Sequence, residues 1–276
     1  MPSELEILRR HGFTFDKGKG QNFLVNPGVC PRMAQLCGCD RSCGVLEIGP
    51  GAGVLTRALA AVAGKVVAVE LDARLLPVLE ETLTGLDNVT VVQGDILTLD
   101  LPGLLETHFG GIPVYVCANL PYYITSPIVM RLVESRLPFV SITVMVQKEA
   151  AQRLCAPMGT RACGAITAAV QYYAEPRMLF PVARGSFYPV PGVDSAVLQL
   201  ALRAAPPVEV ADEAAFFRLI RAAFGQRRKT AANAISAGLA MDKSRVQAAM
   251  ERAGIAPSAR AEAIALEEYA KLAEEL

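Results

Sequence analysis

Five short apolar runs recur between residues 44 and 147, at Val45–Ile48, Val66–Val69, Val89–Val92, Val114–Ala118 and Val140–Val146. They are rich in valine, too short for helices, and bounded by glycine, proline or polar residues, which predicts buried strands. Between them, apolar residues at three- and four-residue spacing predict helices over Gly53–Ala61, Ala73–Leu83 and Pro127–Glu134. Strands and helices that alternate at this spacing imply a parallel sheet covered on both faces. Right-handed crossovers make that a doubly wound, Rossmann-like α/β domain.

After Glu149 the pattern changes. Helices are expected near Ala150–Leu154 and Gly164–Gln171. Strands over Tyr172–Phe180 and Ala196–Leu202 would complete the sheet as an antiparallel pair. Ala204-Ala205-Pro206-Pro207 reads as a linker. Beyond it the expectation is helical throughout: Ala211–Phe224, Arg228–Gly238, Lys243–Ala253 and Glu267–Leu276. Asp212 is an expected N-cap, and Gly225, Gly238 and Gly254 are expected helix stops. The chain therefore divides into residues 1–204, an α/β domain, and residues 205–276, a small all-α domain.

Composition narrows the class. At 276 residues and 52% hydrophobic, the chain can bury a sizeable core. Its formal net charge is zero, so any polyanion site must come from local clustering. No apolar run reaches the roughly 18 residues of a membrane span. Met1–Arg10 carries charges throughout, which does not read as a secretory leader and leads us to expect a cytoplasmic protein. Seven scattered cysteines fit reduced thiols. Cys37, Cys39 and Cys43 cluster without zinc spacing, and the only histidines are His11 and His108, so no metal is expected.

Residues 45–53, Val-Leu-Glu-Ile-Gly-Pro-Gly-Ala-Gly, run from a strand into a glycine-rich turn and then a helix. Gly49, Gly51 and Gly53 allow a ligand close to the backbone. Glu47 is unhelpful to a phosphate but suits a ligand that carries an ammonium and a sulfonium. The second strand ends at Glu70, where a carboxylate can accept two ribose hydroxyls. The third ends near Asp95, placed to accept from an adenine amino group, and the fourth ends at Asn119. In an open α/β sheet, successive strand ends line one crevice at the switch point. Adenosine, amino acid and sulfonium together point to S-adenosylmethionine and a methyltransferase sheet.

Asn119-Leu120-Pro121-Tyr122 supplies a second kind of chemistry. The Asn119 side-chain oxygen and the Leu120 carbonyl can accept both hydrogens of an exocyclic amine. Pro121 fixes the turn, and Tyr122 offers a face for stacking. That set suits a flipped-out base whose amine is to be alkylated, with Phe187 a candidate for its other face. An adenine amine is a poor nucleophile because its lone pair is delocalised into the ring. Two acceptors pull it toward tetrahedral geometry, and orientation then supplies most of the catalysis.

Taken together these motifs resemble the small-subunit ribosomal RNA adenine dimethyltransferases over nearly the whole chain. Gly20-Gln21-Asn22-Phe23-Leu24, Glu47–Gly53, Asn119–Tyr122, Gln147-Lys148-Glu149, Phe187–Ser195 and Phe224–Thr230 carry the likeness in order. The resemblance implies that Asn22, Leu24, Gly49, Glu70, Asp95 and Asn119 contact S-adenosylmethionine or sit at its edge. It also implies dimethylation of two adjacent adenines in a hairpin loop near the 3′ end of small-subunit rRNA, within a pre-ribosomal subunit and by a monomer. The chain departs from the family's pattern near Asp16–Lys19 and in the cysteine- and alanine-rich stretch after Pro31, neither at a proposed catalytic position.

Arg218, Arg221, Arg227, Arg228 and Lys229 crowd one stretch with no acid after Glu213. Arg9, Arg10, Lys17 and Lys19 make the N-terminal segment basic. In a neutral protein both suit RNA phosphates. Competing readings are a large-subunit rRNA methyltransferase, a DNA adenine methyltransferase, a non-catalytic nucleic-acid-binding factor and a dinucleotide enzyme. The Gln226–Thr230 motif with Asp194, the small size of the helical domain, the intact tetrapeptide and the glycine spacing respectively disfavour them.

Overall fold

A computed structural model describes residues 4–14 and 22–276. The chain forms two compact units. The first takes the chain up to Ala151 and regains it for Glu175–Leu202, while Gln152–Ala174 and Arg203–Leu276 make the second. The Ala204–Pro207 linker thus falls close to a boundary, and the excursion at 152–174 joins the later helices.

In chain order the first unit holds α1 (Glu4–Arg10), β1 (Phe23–Leu24), α2 (Val29–Cys37), β2 (Gly44–Ile48), α3 (Val54–Val62) and β3 (Lys65–Glu70). It continues with α4 (Leu76–Thr82), β4 (Val89–Gln93), α5 (Leu101–Phe109), β5 (Val114–Asn119), α6 (Thr125–Glu134) and β6 (Phe139–Gln147). Helices α7 (Lys148–Leu154) and α8 (Ala165–Tyr173) lead into β7 (Ala174–Val182), β8 (Phe187–Tyr188) and β9 (Ser195–Leu202). All five strands expected between residues 44 and 147 form, within a residue or two of their expected ends.

The seven-stranded sheet runs β4-β3-β2-β5-β6-β9-β7. Strands β4, β3, β2, β5 and β6 are mutually parallel, and β9 is antiparallel to β6. Strand order reverses between β2 and β5, which makes that gap the switch point. Every residue of β2 is buried, as befits a strand covered on both faces. Gln199, on β9, donates its side-chain amide to the carbonyls of Leu36 (3.2 Å) and Cys37 (3.3 Å). It thereby satisfies two carbonyl acceptors at the end of α2.

Three features differ from expectation. Tyr172 and Tyr173 end α8, and the strand starts at Ala174. Leu101–Phe109 is a helix despite Pro102 and Gly103, because proline is tolerated in a first turn and the Asp100 side chain accepts from Gly103 N–H. Phe23 and Leu24 pair with Tyr188 and Phe187 in a separate two-stranded sheet, invisible in runs so short.

The second unit continues with α9 (Glu213–Phe224), α10 (Ala231–Leu239), α11 (Lys243–Arg252) and α12 (Leu266–Glu275). Asp212 caps α9 as expected, its side chain accepting from Ala215 N–H. Gly225 follows α9 directly, and Gly254 lies just beyond Ala253 at the end of α11. Gly238 does not stop its helix: α10 runs through it to Leu239 and ends at Ala240. A Cβ at Gly238 would lie 2.7 Å from Ala222 Cβ, so this glycine lets α10 and α9 approach closely.

Candidate functional site

Register brings the predicted residues to one level. Ile48 pairs with Val69 on one side and Ala118 on the other, Glu70 pairs with Gln93, and Asn119 pairs with Met145. The residues that follow therefore emerge together at the carboxyl edge. Three bonds extend the ladder past the strands: Gly49 N–H to Val69 O (2.9 Å), Gly94 N–H to Glu70 O (2.9 Å) and Leu120 N–H to Met145 O (3.1 Å). They anchor the starts of the loops that form the crevice.

That crevice is lined by Asn22, Leu24, Glu47, Gly49, Gly51, Glu70, Asp95, Asn119, Leu120, Pro121, Tyr122 and Phe187. Gly49 and Gly51 have φ of 68° and 60°, in the left-handed region where a side chain is strained. Gly53 does not line the crevice. It precedes α3 with φ of 82°, and a Cβ there would lie 2.9 Å from Thr82 Oγ1 and 3.0 Å from Leu83 Cδ2. Its smallness serves packing against the end of α4.

The carboxylates are held differently. Glu47 is 1% exposed, and neither of its carboxylate oxygens has a hydrogen-bond partner among the described residues. Burial pushes its carboxyl up to about 8, aided weakly by the Glu70 charge and opposed by the Thr56 hydroxyl, which is near but beyond bonding geometry. Glu70 accepts from Gly51 N–H (3.2 Å) and Asp72 N–H (2.8 Å). Burial raises its pKa and those amides oppose the rise. A carboxylate has about four lone-pair sites, so acceptor capacity remains for ribose hydroxyls. Asp95 lines the crevice, and its Oδ1 accepts from Leu97 N–H (2.9 Å).

An unpartnered buried carboxylate is costly unless a cation meets it. Glu47 thus fits an ammonium, Glu70 fits a pair of hydroxyls, and Asp95 with apolar Ile96 and Leu71 fits an aminopurine. The donor set matches S-adenosylmethionine on the structure's own terms.

On the other side of the switch point, Asn119 ends β5 and Leu120 is 1% exposed. The Pro121 carbonyl accepts from Ile124 N–H (3.2 Å) and Thr125 Oγ1 (3.2 Å), which fixes the turn. Tyr122 sits half-buried in the following 3₁₀ turn, its hydroxyl 2.6 Å from Ser195 Oγ. Burial raises its pKa, opposed by the Ser195 bond, and the Asp194 charge adds to the rise. Phe187 is 2% exposed, joins the core and still forms part of the crevice wall, beside its strand partner Leu24.

Residues the sequence did not single out also line the crevice: Phe23, Asp72, Tyr123, Ile96 and Met145. Phe23, Asp72, Tyr123 and Ile96 are next to, or two residues from, expected positions, and the wall function of such neighbours was their available signal. Met145 is opposite Asn119 across the sheet, which no local pattern reports. Among the RNA candidates, Arg218, Arg221, Arg227, Arg228 and Lys229 are exposed in the second unit. Glu213, at the start of α9, accepts on its carboxylate from the Tyr172 and Tyr173 hydroxyls. Arg10 is instead engaged with Glu81. Lys17 and Lys19 lie outside the described residues.

Comparisons with known proteins agree with this chemistry. A family profile described as Ribosomal RNA adenine dimethylase matches residues 12–276. The "Ribosomal RNA small subunit methyltransferase A" of Shouchella clausii is 46% identical over 273 residues, covering 98% of this chain and 92% of that protein. Its namesake in Streptococcus sanguinis is 46% identical over 274 residues, covering 98% and 94%. Among solved structures, a dimethyladenosine transferase from Plasmodium falciparum superposes with a TM-score of 0.74 at 25% identity, covering 91% of this chain and 95% of that one. The 23S rRNA methyltransferase ErmE superposes with a TM-score of 0.69 at 32% identity, covering 92% and 99%.

Proposed function

This chain belongs to the ribosomal RNA adenine dimethylase family, and from that premise we propose how its residues share the work. The protein is a methyltransferase that uses S-adenosylmethionine to dimethylate adenine in small-subunit ribosomal RNA. Bound S-adenosylmethionine supplies an electrophilic methyl group on a sulfonium. Glu47 faces its ammonium, Glu70 takes the ribose hydroxyls, and Asp95 takes the adenine amine. Gly49 and Gly51 keep the backbone turn that admits the amino-acid portion. Asn22 and Leu24 close the edge.

The target base enters beside Asn119. Its amine donates to the Asn119 side-chain oxygen and the Leu120 carbonyl, which concentrates the lone pair on nitrogen. Tyr122 and Phe187 hold the ring from two faces. Transfer leaves a cationic methylated nitrogen that gives up one proton to water; one N–H then remains, and one acceptor suffices to aim it again. The leaving group is neutral, so orientation rather than acid–base chemistry carries the rate. Residues 1–204, apart from the excursion at 152–174 that joins the later helices, act as the cofactor and catalytic domain. Residues 205–276 bind RNA through Arg221, Arg227, Arg228 and Lys229, with Lys17 and Lys19 adding charge from the N-terminal segment.

The finer reading is two adjacent adenines in a 3′-terminal hairpin loop, met within a pre-ribosomal small subunit by a cytoplasmic monomer. No helix among the described residues is long and apolar enough to cross a membrane. The observation that carries the reading is the Asn119–Tyr122 turn, which shares one crevice with Glu47, Glu70 and Asp95. The likeness to ErmE makes large-subunit rRNA the second target to test.

The test supplies labelled S-adenosylmethionine and small subunits that lack the modification, followed by nucleoside mass spectrometry of mapped fragments. Dimethyladenosine at two neighbouring loop positions is the expected result. Transfer only to naked large-subunit rRNA or to DNA would keep the chemistry and move the target. Cofactor binding with no transfer to any RNA would overturn the assignment.

A further inference from the structure

We propose that Ser195 is a positioning residue for the reaction, holding the Tyr122 ring at the angle on which the target base stacks. The inference rests on the role of Tyr122 argued under Proposed function. Ser195 is absent from the crevice lining, so it acts through Tyr122 and does not touch the base.

The two hydroxyls lie 2.6 Å apart although 73 residues separate them in sequence. They are unequal partners. Ser195 is fully buried and opens β9, where it pairs with Gln147 of β6. Asp194, just before it, accepts Lys148 N–H on its carbonyl (2.9 Å) and Arg184 N–H on its carboxylate (3.0 Å). The Ser195 backbone is thus pinned on both sides. Tyr122 is half-buried, and its ring leaves the 3₁₀ turn on two side-chain torsions, the second of them broad. A bond at the phenolic oxygen, the far end of that lever, restrains both torsions together.

The same segment carries the opposite face. Phe187 lies eight residues before Ser195, held by its pairing with Leu24. Arg184 closes the base of the segment through its N–H to Asp194 and through its guanidinium to the Gly192 carbonyl (3.4 Å). One anchored loop therefore sets both aromatic faces and the gap between them. If the Ser195 bond is lost, Tyr122 can tilt while Phe187 stays. A base stacked on a tilted ring carries its amine away from Asn119. Misplacement of about 1 Å can cost on the order of a hundredfold in rate.

The experiment measures single-turnover transfer to unmodified small subunits by wild type, Ser195→Ala, Tyr122→Phe and the double variant. A hairpin with 2-aminopurine in place of the target adenine reports stacking through its fluorescence. The expected result for S195A is a kcat lower by roughly tenfold, with KM for RNA and for S-adenosylmethionine changed by less than about twofold. The 2-aminopurine signal should be less quenched. Y122F, which leaves Ser195 in place, should lose a similar factor, and the double variant should be no worse than the poorer single one. Y122F decides the matter alone if S195A does not fold. Wild-type kcat in S195A, or additive losses in the double variant, would overturn the inference while leaving the function intact. An inactive wild type would instead remove the function, and the inference with it.

Discussion

Glu47→Gln isolates a carboxyl that the fold buries without a hydrogen-bond partner among the described residues. The side chain is 1% exposed, and burial lifts its carboxyl from an ordinary value of 4.5 to about 8. The native state therefore holds this proton between about pH 4.5 and 8, where the unfolded chain has released it. Stability then falls as pH rises through that window, since the unfolded state binds fewer protons. Each unit corresponds to about 1.4 kcal/mol, so the penalty is under about 1 kcal/mol at pH 5, about 3 at pH 7 and about 5 above pH 8. Glutamine keeps the shape and cannot ionise. Urea unfolding of cofactor-free wild type and E47Q at pH 5, 7 and 8.5 should show the difference in unfolding free energy moving by roughly 4 kcal/mol in favour of E47Q. Titrating groups remote from Glu47 cancel in that comparison, and the weak coupling to Glu70 is a small remainder. A second reading comes from calorimetry of S-adenosylmethionine binding at pH 6.5–7 in buffers of different ionisation enthalpy. An ammonium that recruits the Glu47 carboxylate expels its proton, so wild type should release about one more proton than E47Q. A stability difference that stays flat from pH 5 to 8.5 would refute the reasoning, because it would mean that Glu47 is paired or solvated.

Asn119→Ala should abolish transfer while preserving the thermal midpoint and most of the cofactor affinity; full activity or an unfolded chain would sink its assigned role. Gly238→Ala should destabilise the helical unit by roughly 1–2 kcal/mol net in thermal melts, the crowding of Ala222 outweighing about 1 kcal/mol of gained helix propensity. Neutralising Arg227, Arg228 and Lys229 together should weaken RNA binding at low salt. The slope of log affinity against log salt should flatten by about two to three, as expected when that many phosphate contacts are lost. An unchanged slope would place the RNA elsewhere.

Much of the site was legible because its signals are local. A valine-rich run followed by glycine or an acid marks a buried strand and its exposed end at once. Gly49, Glu70, Asp95 and Asn119 could therefore be assigned to strand ends before the sheet was known. Asp212 and the run of helices after it were readable for the same reason, since caps and apolar spacing act within a turn or two. Local signals also misled where one residue serves two purposes. Gly53 and Gly238 looked like a ligand turn and a helix stop, whereas Thr82 and Leu83 in one case and Ala222 in the other demand their smallness. Leu101–Phe109, to which the sequence pattern assigned no element, is a helix that Pro102 and Gly103 open.

The sequence by itself determined the strand–helix alternation, the carboxylates at the strand ends and the chemistry of the tetrapeptide. Only the tertiary structure decided that Leu24 meets Phe187, that Met145 sits across from Asn119, that Glu47 has no partner among the described residues and that Tyr122 is held by Ser195. The division has a physical cause. Hydrophobic period and turn chemistry depend on neighbours a few residues away, whereas register, desolvation and a bond across 73 residues exist only once the sheet has closed around them.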